Sequence, residues 1–194
     1  MVARVVLNFS MSLDGFVAGP DIDMENAMGV GGERLHEWMF PPSGEKHPAD
    51  AAMAEVTSSS VGAVVLGRRT YDIGLQHWGD TPFPVPSFVL THRSEPDRQM
   101  KSASFHFVDD VRAAIASARN AAGDRSVIVM GAETAQQVLR AGLADALHIQ
   151  VVSVLLCRGK RLFDDIGDTA IELRRTRAVA ASPDVTHLEY DVLH

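Results

Sequence analysis

Cysteine is almost missing from this chain: Cys157 is the only one in 194 residues. That excludes an internal disulfide framework, argues against a zinc site built on cysteine, and suits a reducing compartment. Positive charge is short as well. Eighteen Lys and Arg face 25 Asp and Glu, a net charge of −7, which does not fit a general nucleic-acid binder. No apolar run approaches the roughly 20 residues that span a bilayer. The opening residues, "MVARVVLNFSMSLDGFVAG", are broken by Arg4, Asn8 and Asp14 and alternate too strongly for a signal-peptide core. Repeats, low-complexity tracts and long linkers are also missing. Residues 1–194 therefore read as one domain, expected to be cytoplasmic, with neither membrane nor nucleic acid as partner.

The two common glycine-rich nucleotide loops are absent too. No strand is followed by G-x-G-x-x-G, and G-x-x-x-x-G-K-[ST] does not occur. "GVGGE" at 29–33 follows no strand, and "CRGKR" at 157–161 has the wrong spacing.

What the chain does have is alternation of strand and helix patterns. "ARVVLNFSM", Val61 to Leu66, "PSFVLT", "SFHFV", "SVIVMG" and "ALHIQVVSVLL" read as strands. "GGERLHEWMF", stopped by Pro41-Pro42, "HPADAAMAEVTSSS", the stretch toward Trp78, "DDVRAAIASARNAA" and "AETAQQVLRAG" read as helices. The tail differs. "AIELRRTRAVA" and "VTHLEYDVL" alternate at period two with no helix between them, which predicts an antiparallel pair at one end of the sheet. The pattern predicts an α/β layered sandwich around a mixed, mostly parallel sheet.

In such sheets ligands gather beyond the carboxyl ends of the strands, and three strand ends carry suitable residues. After Leu66 come Gly67, Arg68, Arg69 and Thr70. A helix start there offers free N–H groups and a partial positive charge to an anion, and an arginine can grip a phosphate with two hydrogen bonds. After Leu90 come Thr91, His92 and Arg93, a second cationic loop. After Met130 come Gly131, Ala132, Glu133, Thr134 and Ala135, a small-residue turn against which a pyrophosphate can lie. Taken singly, each is also compatible with a solvated surface or an ordinary tight turn.

In order along the chain, "VVLNFSMSLDGFVAG", "VVLGRRTYD", "FVLTHR" and "VIVMGAETAQQVLRAGLADALHIQVVSVLLCRGKRLF" resemble the dihydrofolate-reductase-like superfamily. Within it they are most similar to the reductase domain of the bifunctional riboflavin-biosynthesis deaminase-reductases, over residues 2 to 165. No deaminase zinc motif is present, so the expectation is the reductase half. The resemblance implies a three-layer α/β/α sandwich and an NADPH-dependent reductase with the cofactor across the strand ends. It places Gly67 to Thr70 at the adenosine-side phosphates, with Arg68 on the 2′-phosphate. Thr91, His92 and Arg93 fall beside the adenine ribose, Gly131 to Ala135 at the pyrophosphate, and Ser10, Val17 and Ala18 at the nicotinamide.

The resemblance also implies a small heterocyclic substrate of the ribosylamino-pyrimidine type. The alternatives are a dihydrofolate reductase acting on a pterin and an NADP-binding protein without turnover. In dihydrofolate reductases an acid on the first helix helps protonate the substrate. Taking "GGERLHEWMF" as that helix puts Leu35 in the acid's place, with Glu33, His36 and Glu37 as the neighbouring catalytic candidates. A solvated helix face is the competing reading of all three, and one helical turn without a further ligand is not expected to hold a metal. Asp14 and Trp38 are the candidate substrate contacts, although an Asp before Gly also suits a plain turn. Lys160 and Arg161 are the weaker candidates for a substrate phosphate. The long apolar strand "LHIQVVSVLL" admits a homodimer.

Overall fold

The computed structural model describes residues 2–194. In chain order the elements are β1 Val5–Ser12, β2 Phe16–Ala18, a 3-10 turn Gly32–His36, α1 Pro48–Ser60, β3 Val61–Gly67 and α2 Arg68–Trp78. Next come β4 Ser87–Leu90, β5 Arg98–Gln99, β6 Ser104–Val108, α3 Val111–Ala122, β7 Ser126–Met130 and α4 Ala132–Arg140. The chain closes with β8 Ala146–Val152, β9 Lys160–Arg161, β10 Leu173–Ser182 and β11 Val185–Val192.

Nine strands form one sheet in the order β10-β11-β8-β1-β7-β3-β4-β6-β5. The six from β8 to β6 run parallel, and the antiparallel strands sit at the two edges. Parallel strands covered on both faces need apolar residues at successive positions, and β3 is buried throughout Val61–Leu66. Alternate residues feed opposite layers. Val5, Leu7, Ala63, Val65, Val127 and Val129 pack with Ala114, Ile115 and Ala118 of α3 and with Ala135 and Val138 of α4. Val6, Val64, Leu66 and Ile128 pack with Tyr71 of α2 on the other face. A smaller cluster there joins Leu35, Trp38, Val152 and Val185, with Ala54 of α1 against it. These are the expected three layers, and the tail pair docks on β8 as its pattern predicts.

Two local expectations fail. The helix expected over "GGERLHEWMF" is only the five-residue 3-10 turn. Gly29 and Gly31 adopt positive φ of 70° and 76°. The preceding loop folds back on itself, with the Gly19 N–H on the Met28 carbonyl and the Val30 N–H on the Pro20 carbonyl, both 2.8 Å. Past His36 the chain makes only isolated turns, with the Met39 and Phe40 N–H groups both on the His36 carbonyl at 2.9 and 2.8 Å, before Pro41 stops it. The first α-helix is α1, opened by Pro48, a residue that costs nothing at a first helical position. Strand β8 also ends at Val152, short of Leu156. Beyond it the backbone turns toward the loop after β1, whose Leu13 N–H donates to the Val154 carbonyl at 3.0 Å.

Candidate active site

Strands β3 and β7 are neighbours, with Leu66 opposite Met130. Gly67 and Gly131, the next residues, therefore sit side by side, and α2 and α4 start from adjacent points at the carboxyl edge. The two starts interlock. A Cβ on Gly67 would lie 2.8 Å from Thr134 Oγ1, and one on Gly131 would lie 2.5 Å from Thr70 Oγ1. Each threonine hydroxyl thus occupies the space that a side chain on the other helix's glycine would need. Gly131 also has φ 88°, which other residues rarely adopt. Ala132, Thr134 and Ala135 are buried behind this junction. Glu133 points away and meets Lys160 Nζ at 2.9 Å, a contact that holds its carboxyl below the usual range. Two sets of free helix N–H groups and two partial positive charges thereby converge on one small-residue cradle, which suits a pyrophosphate.

The arginines of the same segment are already engaged. Arg68 Nε donates to both carboxylate oxygens of Asp72, at 2.8 and 2.9 Å, and its Nη1 donates to Glu95. Its guanidinium also lies 5.6 Å from the Tyr71 ring centre. Hydrogen bonds to Asp72 and then Glu95 raise its pKa further, so it is a cation at every working pH. Arg69 reaches across to the Ile22 carbonyl and anchors the loop after β2. In the β4 loop, the Thr91 N–H donates to the Val108 carbonyl at 2.8 Å and the Thr91 hydroxyl accepts from the Arg93 N–H at 3.1 Å. Thr91 therefore holds the loop's shape while His92 and Arg93 face solvent.

On the other side of β1, β2 and β9 form a separate two-stranded sheet. Val17 and Ala18 are buried there. Gly159 presses on the turn after β2, where a Cβ would come within 2.0 Å of the Ala18 carbonyl oxygen. Asp14 closes this region: its carboxylate accepts from the Ser12 hydroxyl at 2.6 Å and from the Leu156 and Cys157 N–H groups at 3.1 and 2.8 Å. Asp14 is thus occupied as a turn-forming clamp. It also accounts for the otherwise puzzling "CRGKR" turn, since Cys157 takes φ 62° to deliver that N–H. Arg161 donates to the Asp14 carbonyl and lies 4.3 Å over the Phe16 ring. Lys160 and Arg161 therefore both have partners within this closure.

A buried polar chain links Ser10 of β1, Trp38, His187 of β11 and Asp50 of α1. Trp38 Nε1 donates to Ser10 Oγ at 2.9 Å. The indole meets the His187 ring edge-on at 4.9 Å, and His187 Nε2 lies 3.0 Å from Asp50 Oδ1. Both side chains of the last pair are 2% exposed. Beside them, Gln150 donates to Asn8 at 2.8 Å. The three sequence candidates gather at no such point. Glu33 is exposed, Glu37 pairs with Arg34 at 3.2 Å, and His36 is half-buried, with burial pushing its pKa down. The sequence reading missed Asp50 and His187. Pro48-Ala49-Asp50 carries a signal, a proline-opened helix with an acid in its first turn, but it lies in the second of the helical stretches that the sequence predicts. Nothing in the sequence points to His187, 137 residues away from its partner.

A cavity of about 430 Å³ lies at the opposite, amino-terminal edge of the sheet, lined by Arg4, Arg119, Arg174, Asp145 and Asp191. Its arginines are tied to the two aspartates, Arg119 to Asp145 at 2.7 Å and Arg174 to Asp191 at 3.0 Å. That network staples the chain ends together.

A mostly parallel sheet with antiparallel edges, with two helices starting at the ends of adjacent strands, has the dihydrofolate-reductase-like fold. The chain belongs to the RibD C-terminal domain family, whose profile matches residues 3–187. It is a reductase, the activity of that family, and acts on a small molecule. No curated protein matches the chain. Among solved structures, a provisionally assigned riboflavin biosynthesis protein from Shewanella sp. PV-4 is similar over 100% of both chains, with 22% identity and a TM-score of 0.71. Dihydrofolate reductase from Enterococcus faecalis, complexed with NADP(H) and RAB-propyl, is 16% identical over 100% of both chains, with a TM-score of 0.61. A pyrimidine reductase-like protein from Corynebacterium diphtheriae is 12% identical, covers 100% of this chain and 92% of its own, and has a TM-score of 0.61.

Proposed function

We propose that this protein is an NADPH-dependent reductase of a small heterocyclic substrate of the ribosylamino-pyrimidine type, like 5-amino-6-(5-phosphoribosylamino)uracil. The observation that carries the cofactor reading is the reciprocal fit of Gly67 with Thr134 and Gly131 with Thr70. It leaves two helix starts bare of side chains at the strand ends, where backbone N–H groups can meet a pyrophosphate. Thr70 and Thr134 add hydroxyl donors. Arg68 is the group for the 2′-phosphate, and Ser10, Val17 and Ala18 line the nicotinamide side. A bound reduced nicotinamide supplies the hydride; the chain supplies orientation and a dry site.

The buried Ser10–Trp38 and His187–Asp50 pairs favour a second substrate reading. An acid in the first turn of the first helix, pressed against the sheet, is what pterin reduction calls for, so dihydropterins belong in the substrate test. In either case Asp50 is the proton-side acid and His187 positions it.

The test is an equilibrium titration of the protein with NADPH and NADH, followed by nicotinamide fluorescence and repeated with Arg68→Ala. Tighter binding of NADPH, with the preference lost in the variant, supports the reading. NADPH oxidation is then followed with the phosphoribosylamino-pyrimidine and with dihydrofolate. If neither nucleotide binds at millimolar concentration, the cofactor assignment is overturned.

A further inference from the structure

The cation assigned to the 2′-phosphate is not waiting for a ligand. Arg68 holds two carboxylates, and they differ in kind. Asp72 lies one helical turn on in α2, and its two hydrogen bonds to Nε fix the guanidinium on the helix. Glu95 comes from elsewhere, the loop joining β4 to β5, and takes Nη1. It therefore occupies one of the outward donors a phosphate would use.

The loop that carries Glu95 is held at both ends. At its start the Thr91 N–H is fixed to Val108. At its far end Asp97 meets His106 Nδ1 at 2.6 Å, while His106 Nε2 lies 2.9 Å from Ser104 Oγ. The ring is seated by stacking on Phe88, with centres 5.1 Å apart. Glu95 is thus presented to Arg68 by a braced loop. Arg68 and Glu95 are 23% and 36% exposed, so a ligand can reach the pair from solvent.

We propose that Glu95 is a built-in competitor for the adenosine phosphate cation and that it sets how far this reductase prefers NADPH over NADH. This rests on the cofactor reading above. A 2′-phosphate must displace the Glu95 carboxylate from Arg68 and then tolerate that negative charge nearby. A 2′-hydroxyl meets neither obstacle. Glu95 therefore weakens NADPH selectively, and the chain binds it less tightly than its arginine content suggests. Asp72 acts differently, since it aims the guanidinium.

The experiment compares wild type, Glu95→Gln and Glu95→Gln with Arg68→Ala, titrating each with NADPH, NADH, 2′,5′-ADP and 5′-ADP. Glutamine keeps the size and removes the charge at a partly exposed loop position. The expected result is a gain of roughly tenfold for NADPH and 2′,5′-ADP, the order of one partly screened charge. NADH and 5′-ADP should move less than about twofold, and most of the gain should vanish without Arg68. If wild type binds NADPH and Glu95→Gln leaves its affinity unchanged or lower, the competitor role is wrong and the cofactor reading stands. An equal gain for NADH also sinks it, because the effect is then general. If no nucleotide binds any of the three proteins, both the proposal and the cofactor reading fall.

Discussion

At the scale of single residues, the two glycines of the cradle are tightly constrained. Gly131 must supply φ 88° and leave room for a hydroxyl 2.5 Å from where a Cβ would stand. Gly131→Ala should therefore lower stability by roughly 1–3 kcal/mol, the usual cost of a strained backbone position. It should also weaken nucleotide binding more than that loss explains, because Thr70 is pushed off its seat. Urea unfolding paired with nucleotide titration separates the two effects. Arg68 gives the converse lesson. It has the right charge in the right segment, yet its strength as a phosphate ligand is governed by Asp72 and Glu95.

At the scale of elements, α1 is joined to β11 by a buried polar contact, Asp50 to His187, both 2% exposed. Removing one partner of a buried carboxylate pair costs far more than replacing both. His187→Leu should lower stability by roughly 3–5 kcal/mol, because the Asp50 carboxylate is left buried without its partner. The double variant with Asp50→Leu should recover most of that loss while abolishing substrate reduction. Denaturant midpoints for the two singles and the double test this directly. If the singles and the double are equally destabilised, the contact is ordinary packing and does not carry the helix.

At the scale of the whole molecule, acid sensitivity is expected from two partly buried imidazoles. Burial pushes His36 below its ordinary 6.5, and burial likewise lowers His148, with Glu189 opposing. A histidine whose folded pKa is depressed leaves the unfolded chain binding more protons just below 6.5, so stability rises with pH through that window. Stability should therefore be complete above about pH 7 and decline between pH 6.5 and 5. The carboxylates Asp14 and Asp191 sit below their ordinary 3.8, so their contribution is lost only in stronger acid. Urea midpoints at pH 7.5 and 5.5 should differ in wild type. The difference should shrink when His36 and His148 are both replaced by glutamine. An unchanged difference would assign the acid sensitivity elsewhere.

What the sequence by itself determined was whatever depends on neighbours along the chain. Period-two and β-branched runs marked the strands, Gly67 and Gly131 marked the two turns, and Asp72 stands four residues after Arg68 in the quoted motif itself. The layered α/β arrangement and the antiparallel tail follow from the same local patterning, because a strand covered on two faces must be apolar on both. Pairings across long separations were decided only by the tertiary structure: Glu95 on Arg68, His187 on Asp50, Asp14 on the Leu156–Cys157 turn. Each joins side chains that are unremarkable where they stand and acquire a role when the sheet order brings their strands and loops together. The first helix was misplaced for the same reason. "GGERLHEWMF" has a plausible helical composition, but after the backbone folds back from Gly19 to Gly32 it forms a 3-10 segment and isolated turns, and the first α-helix begins at Pro48.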